Sequence, residues 1–217
     1  MTVYDDRLDA ARQLLDALPP LEGEDVVVLA LPRGGVPIGS VIADALGAPL
    51  DLLLVRKVGA PGNCELALGA VTGPGDAGLV VNAPVARMCG LTRADVAERA
   101  APELEELERR RRAYLGDADR VPVKGRTVLL VDDGIATGTT VRAALASLRQ
   151  MGPKRVILAI PVASRDVLDD LRAMVDQIVC PEPHLHFGAV GGAYRVFDQV
   201  SDDEVVRLMH KARTPDR

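Results

Sequence analysis

Val128-Leu129-Leu130-Val131-Asp132-Asp133-Gly134-Ile135-Ala136-Thr137-Gly138-Thr139-Thr140 joins an unbroken apolar run to two adjacent acids and then to a Gly/Thr-rich turn. Valine and leucine throughout the run suit a strand buried on both faces, as at the centre of a parallel sheet. Beyond the turn, Val141, Leu145 and Leu148 recur at helical spacing until Gly152-Pro153, so the stretch reads as strand, loop and helix. Main-chain N–H groups at such a helix start can cradle a phosphate. Gly138 allows close approach, and the hydroxyls of Thr137, Thr139 and Thr140 add donors. Asp132 and Asp133, read as ionised, precede the turn by a few residues, within reach of the hydroxyls of a sugar that carries the phosphate. No lysine follows the glycine, which disfavours a triphosphate loop, and the spacing does not match the dinucleotide pattern G-x-G-x-x-G. A ribose 5-phosphate fits that spacing.

The same grammar continues on both sides. Residues 26–31 are apolar and end at Pro32-Arg33-Gly34-Gly35, followed by a helix over 36–46 closed at Gly47. Residues 50–55 read as a second strand ending at Arg56-Lys57, with residues 59–63 as loop. Residues 66–71 and 79–81 flank the turn residues Gly73-Pro74-Gly75-Asp76, a hairpin beside the main sheet. Thr92 and Asp95 form a capping box for a helix that Pro102 restarts or kinks. Residues 156–160 and 178–180 give two further strands, separated by a helix capped by Ser164 and carrying Leu168, Leu171 and Val175. A leader helix over residues 5–18 lines up Leu8, Ala11, Leu15 and Leu18, and a last helix opens at Ser201 and Glu204. The alternation predicts an α/β fold: a parallel β-sheet flanked by helices, with right-handed crossovers and ligands at the carboxyl ends of the strands. One domain is expected, with a core over about residues 25–180 and a small hood lobe from residues 1–24 and 181–217.

Composition agrees with that class. Only five of 217 residues are Tyr or Phe and none is Trp, so the core must come from Val, Leu, Ile and Ala. A net charge of -5 argues against nucleic acid as a partner, because that binding needs a basic surface. Cys64, Cys89 and Cys180 show neither a disulfide framework nor a zinc knuckle. With no signal-peptide core and no apolar run of membrane-spanning length, a soluble cytoplasmic protein without a membrane partner is expected.

The stretch over residues 128–140 resembles the signature of type I phosphoribosyltransferases: four apolar residues, two acids, then a loop ending Thr-Gly-x-Thr. Pro32-Arg33-Gly34-Gly35 and Arg56-Lys57 stand where that family places its pyrophosphate loop, often with an unusual cis peptide, and a basic pair. The resemblance implies binding of 5-phosphoribosyl-1-pyrophosphate (PRPP) and transfer of its phosphoribosyl group to a nitrogenous, nucleobase-like acceptor. It assigns Asp132 and Asp133 to the ribose hydroxyls and Ala136, Thr137, Gly138, Thr139 and Thr140 to the 5-phosphate. Arg33, Gly34, Gly35, Arg56 and Lys57 fall to pyrophosphate, with Lys57 counted beside the two acids as catalytic. Magnesium (Mg2+) is implied as the cofactor, bridged by substrate oxygens without a direct protein ligand. Family members are commonly dimers, which implies a homodimer.

Ala136 and Thr139 stand where hypoxanthine and guanine enzymes carry an acid and a basic residue, so a 6-oxopurine acceptor is disfavoured and the acceptor stays open. Two other functions stay open beside transfer: a regulatory protein on the same fold that senses PRPP or a nucleotide, and hydrolysis of a nucleotide or pyrophosphate bond. His184 and His186 alternate as on one face of an extended segment, which reads better as polar surface than as a metal pair. Phe187 and Tyr194 are candidates either to stack on a planar base or to anchor the hood.

Overall fold

The computed structural model of the chain describes residues 3–73, 78–184 and 188–213, without the side chains of residues 63–65. The first half runs α1 (Arg7–Asp16), β1 (Val26–Ala30), α2 (Gly35–Leu46), β2 (Leu50–Leu52), β3 (Arg56–Ala60), β4 (Asn63–Val71), β5 (Leu79–Val81), α3 (Ala83–Met88) and α4 (Arg93–Leu115). The second runs β6 (Thr127–Val131), α5 (Thr139–Gln150), β7 (Arg155–Ala159), β8 (Val162–Ser164), α6 (Arg165–Leu171), β9 (Gln177–Val179), β10 (Glu182–His184) and α7 (Asp202–Arg213). They form two compact units, one of residues 1–53, 117–138 and 152–217, the other of residues 54–116 and 139–151.

The first unit is built on a parallel sheet of order β2-β1-β6-β7-β9. β6 lies at its centre, and Val128, Leu129, Leu130 and Val131 are fully buried, as a strand covered on both faces requires. Val36, Ile38 and Ile42 bury the inner face of α2. α1 turns inward a face that shares Ala11 with the expected stripe but is shifted from it: Ala10, Ala11 and Leu14 are buried while Leu8 is 46% exposed. Small alanines let α1 approach its neighbour α2 closely, and the side-chain volume of Leu8 is left to solvent. Residues 3–5 and 193–196 run alongside one another, with Tyr4 N donating to Ala193 O, Arg195 N to Tyr4 O and Val196 N to Asp5 O. β10 adds a short parallel pairing with β8 that the weak periodicity of residues 181–200 does not reveal.

The second unit holds the antiparallel sheet β3-β4-β5 together with α3, α4 and α5. β4 and β5 pair as the hairpin reading requires, Val71 opposite Leu79, although the turn residues 74–77 lie outside the described residues. The expected second strand divides. Parallel register with β1 stops at Leu52, with Leu53 N still donating to Ala30 O at 3.0 Å, and Leu54 continues buried beyond it, so hydrophobicity there reports burial alone. Arg56 and Lys57 therefore open β3 and do not close β2, and residues 59–63, expected as loop, hold the end of β3 and the start of β4. α3 is an addition, capped by Asn82 with a proline in its first turn. α4 keeps the Thr92/Asp95 capping box and runs unbroken through Pro102. α6 stops at Leu171, leaving Val175 beyond it.

Candidate active site

β1 and β6 are neighbours in register, Ala30 opposite Val131, so the segments that follow them emerge side by side. The connection after β1 returns to β2 and that after β6 to β7, in opposite directions along the strand order. That reversal opens a crevice at the carboxyl ends of the two strands, where ligands of such sheets bind. Pro32 to Gly35 leaves β1 there, and Asp132 to Gly138 leaves β6. Gly35 begins α2 so close to the end of β6 that a Cβ would lie 2.6 Å from the Val131 carbonyl oxygen and 2.9 Å from the Asp132 Cα. A Cβ on Gly34 would overlap the Asp133 carboxylate. The Pro32–Arg33 peptide is cis. Arg33 is half-buried and lies 3.5 Å from Asp202 at the start of α7. Gly138 has φ +73°, a region L side chains rarely adopt, and Ala136, Thr137, Thr139 and Thr140 around it are exposed.

The acids are unequal. Asp133 is buried, its Oδ2 accepting from Arg7 Nε at 3.0 Å and Nη2 at 2.8 Å. Asp132 is half-buried, and its Oδ1 accepts from the Asp133 N–H at 2.9 Å. Burial first, and the neighbouring Asp133 charge second, push the Asp132 carboxyl well above the ordinary carboxylate value. Burial also raises Asp133, against the pull of the Arg7 charge and hydrogen bonds. Burial thus opposes charge on both acids, and at Asp133 the Arg7 guanidinium works against it.

A family profile described as "Phosphoribosyl transferase domain" matches residues 3–195. The chain belongs to this family. "Putative phosphoribosyl transferase Rv0571c" of Mycobacterium tuberculosis H37Rv is 44% identical over 213 residues, covering 98% of this chain and 47% of that protein. Its counterpart MT0597 in strain CDC 1551 matches to the same extent. The chain therefore spans about half the length of the curated relatives it matches. The crystal structure of TT1426 from Thermus thermophilus superposes with a TM-score of 0.85 at 40% identity, covering 96% of this chain and 98% of that one. The parallel sheet flanked by helices is that of a phosphoribosyl transferase domain.

Of the residues singled out in the sequence, this domain gathers Arg33, Gly34, Gly35, Asp132, Asp133, Ala136, Thr137 and Gly138 in its first unit and places Arg56, Lys57, Thr139 and Thr140 in the second. Arg56 and Lys57, consecutive on β3, point to opposite faces. Arg56 is tied to α4, with Nε 2.7 Å and Nη2 2.5 Å from Glu103 Oε2. Tyr194 is buried, stacks on Phe197 with centroids 4.9 Å apart, and donates its hydroxyl to the Asp133 carbonyl at 2.5 Å. Burial raises its phenol, which stays protonated as a donor. His186 and Phe187 lie outside the described residues, and His184 is half-buried in β10. Among the described residues no helix is long and apolar enough to cross a membrane. Sequence reasoning missed Arg7, which looked like one more charge on a leader helix and carries no local signal of a partner 126 positions away.

Proposed function

We propose that the protein binds PRPP and transfers its phosphoribosyl group to a nitrogenous, nucleobase-like acceptor, releasing pyrophosphate. The observation that carries this reading is the close approach of Gly35 to the end of β6, which sets the Pro32–Gly35 loop against the acid pair in one crevice. Asp132 and Asp133 accept the ribose hydroxyls, and the amides and hydroxyls of residues 136–140 hold the 5-phosphate. Main-chain amides of residues 33–35 and the Lys57 ammonium stabilise charge on the departing pyrophosphate. The acceptor nitrogen forms a bond to C1 as the bond from C1 to the pyrophosphate oxygen breaks, its electron pair leaving with pyrophosphate. The carboxyl oxygens of Asp132 and Asp133 are donors of the kind a hard divalent cation prefers, and they would face one carried on substrate oxygens. Magnesium there would supply positive charge to offset the charge on the leaving group.

Incubation with PRPP, magnesium and a panel of bases, following pyrophosphate release with and without each base, tests the proposal. Base-dependent release is expected. Stabilisation by PRPP without such release would assign the domain to PRPP sensing, and no interaction with PRPP at all would remove both readings.

Within this reading the basic pair divides its labour. Lys57→Ala is expected to lower kcat/KM about tenfold, the scale of a lost charge-assisted contact to the leaving group. Arg56→Ala, which breaks a partly exposed pair with Glu103, is expected to lower stability by no more than about 1 kcal/mol and to change kcat/KM less than Lys57→Ala does. Steady-state kinetics and denaturant unfolding of both variants check this; the reverse ranking in kcat/KM would exchange the roles.

A further inference from the structure

The Asp133 carboxylate is held more firmly than contact with a sugar hydroxyl alone requires. Arg7 Nε and Nη2 both donate to Oδ2, at 3.0 and 2.8 Å, and the two side chains are only 12% and 13% exposed. Arg7 is itself fixed from two further directions. Its Nη1 donates to the Asp198 carbonyl at 2.8 Å, and its guanidinium lies 4.0 Å from the centroid of the Phe197 ring. Phe197 stacks on Tyr194, whose hydroxyl holds the Asp133 main-chain carbonyl, so side chain and backbone of the same residue are gripped by one connected cluster. Gly34 leaves the carboxylate just enough room on the side of the Pro32–Gly35 loop. Asp6 caps α1 by accepting from Leu8 N and Asp9 N, which sets the direction from which Arg7 leaves the helix.

The grip is one-sided, since both Arg7 donors converge on Oδ2 and Oδ1 takes no hydrogen bond from them. Resting on the PRPP reading of the acid pair, we propose that Arg7 is a positioning residue: it locks Asp133 through Oδ2 and so presents Oδ1, already oriented, to a ribose hydroxyl. An acid fixed before binding loses little side-chain freedom when the sugar arrives, which is how preorganisation raises affinity. The guanidinium also supplies the counter-charge that a shielded carboxylate needs to remain an acceptor. The N-terminal helix thereby belongs to the sugar subsite, although it need not touch the sugar.

A double-mutant cycle tests this. Binding of magnesium and PRPP to the full chain is measured by calorimetric titration for the parent, Arg7→Gln, Asp133→Asn and the double variant, with melting temperatures followed alongside. Arg7→Gln is expected to weaken PRPP binding about tenfold in the parent background and less than about twofold once Asp133 is Asn. Arg7→Lys keeps the charge without the paired donors and is expected to fall between parent and Arg7→Gln. Equal losses in both backgrounds, or an unchanged affinity in Arg7→Gln, would overturn the positioning role while leaving the PRPP reading intact. A parent protein that binds no PRPP would overturn that reading and this one with it. If Arg7→Gln does not fold, Arg7→Lys completes the same cycle. If the Asp133→Asn background binds too weakly to titrate, the ranking of parent, Arg7→Lys and Arg7→Gln decides.

Discussion

Asp132→Asn is expected to melt at a higher temperature than the parent protein at pH 7 and to bind PRPP about a hundredfold more weakly, the scale of a lost hydrogen bond to a charged group. Burial, then the Asp133 charge, hold the Asp132 carboxyl well above its ordinary value of 3.8. Between the ordinary value and the raised one, the folded chain binds more protons than the unfolded chain. Stability therefore falls as pH rises through that window, and the full loss persists above it. Asparagine carries no charge to desolvate, and its Oδ1 can still accept the Asp133 N–H that Asp132 accepts at 2.9 Å. The difference in melting temperature should shrink as pH falls toward 3.8, where the unfolded carboxyl is also protonated. Melting curves across pH, with PRPP titrations at neutral pH, separate the two effects. A variant that melts lower than the parent at pH 7 would mean that the charge is compensated in the folded chain. Unchanged PRPP affinity would remove Asp132 from the sugar subsite.

Gly35→Ala is expected to destabilise the protein by about 1–3 kcal/mol or more, because its new methyl group meets main chain and not a movable side chain. The obstacles are the Val131 carbonyl oxygen at 2.6 Å and the Asp132 Cα at 2.9 Å, both in or next to the buried central strand β6. Relief requires α2 to move away from β6, which also separates the Pro32–Gly35 loop from the acid pair. Gly34→Ala makes the informative contrast. Its obstacle is the Asp133 side chain, which can turn aside only by releasing Arg7, so it should disturb PRPP affinity more than stability when compared with Gly35→Ala. Denaturant unfolding and PRPP titration of the two variants test the contrast. A Gly35→Ala protein as stable as the parent would show that the two loops are not in the close contact on which the proposed site depends.

Local chemistry made much of this molecule legible in advance. The apolar run over residues 128–131 became the fully buried centre of the sheet. Thr92 and Asp95 closed their capping box, and Ser201 accepts the Glu204 N–H at the start of α7. Each depends on residues within a turn or a strand of one another, and such neighbours leave a periodic or positional trace. The limit of that logic shows at Leu54, where hydrophobicity announced burial but not where the strand would stop pairing. It shows again in α1, where the expected stripe of Leu8, Ala11, Leu15 and Leu18 kept Ala11 buried but gave the rest of the inward face to Ala10 and Leu14, since that choice depended on packing against α2.

By itself the sequence determined the strand and helix alternation, the order of acids before a Gly/Thr turn, and membership of a family whose motif those residues match, because all three are written in short continuous segments. Only the tertiary structure decided that Gly35 presses against β6, that Arg56 faces Glu103, and that Arg7 grips Asp133. These contacts join parts of the chain that carry no mark of one another, and they exist only after strand order and helix packing have brought the partners together.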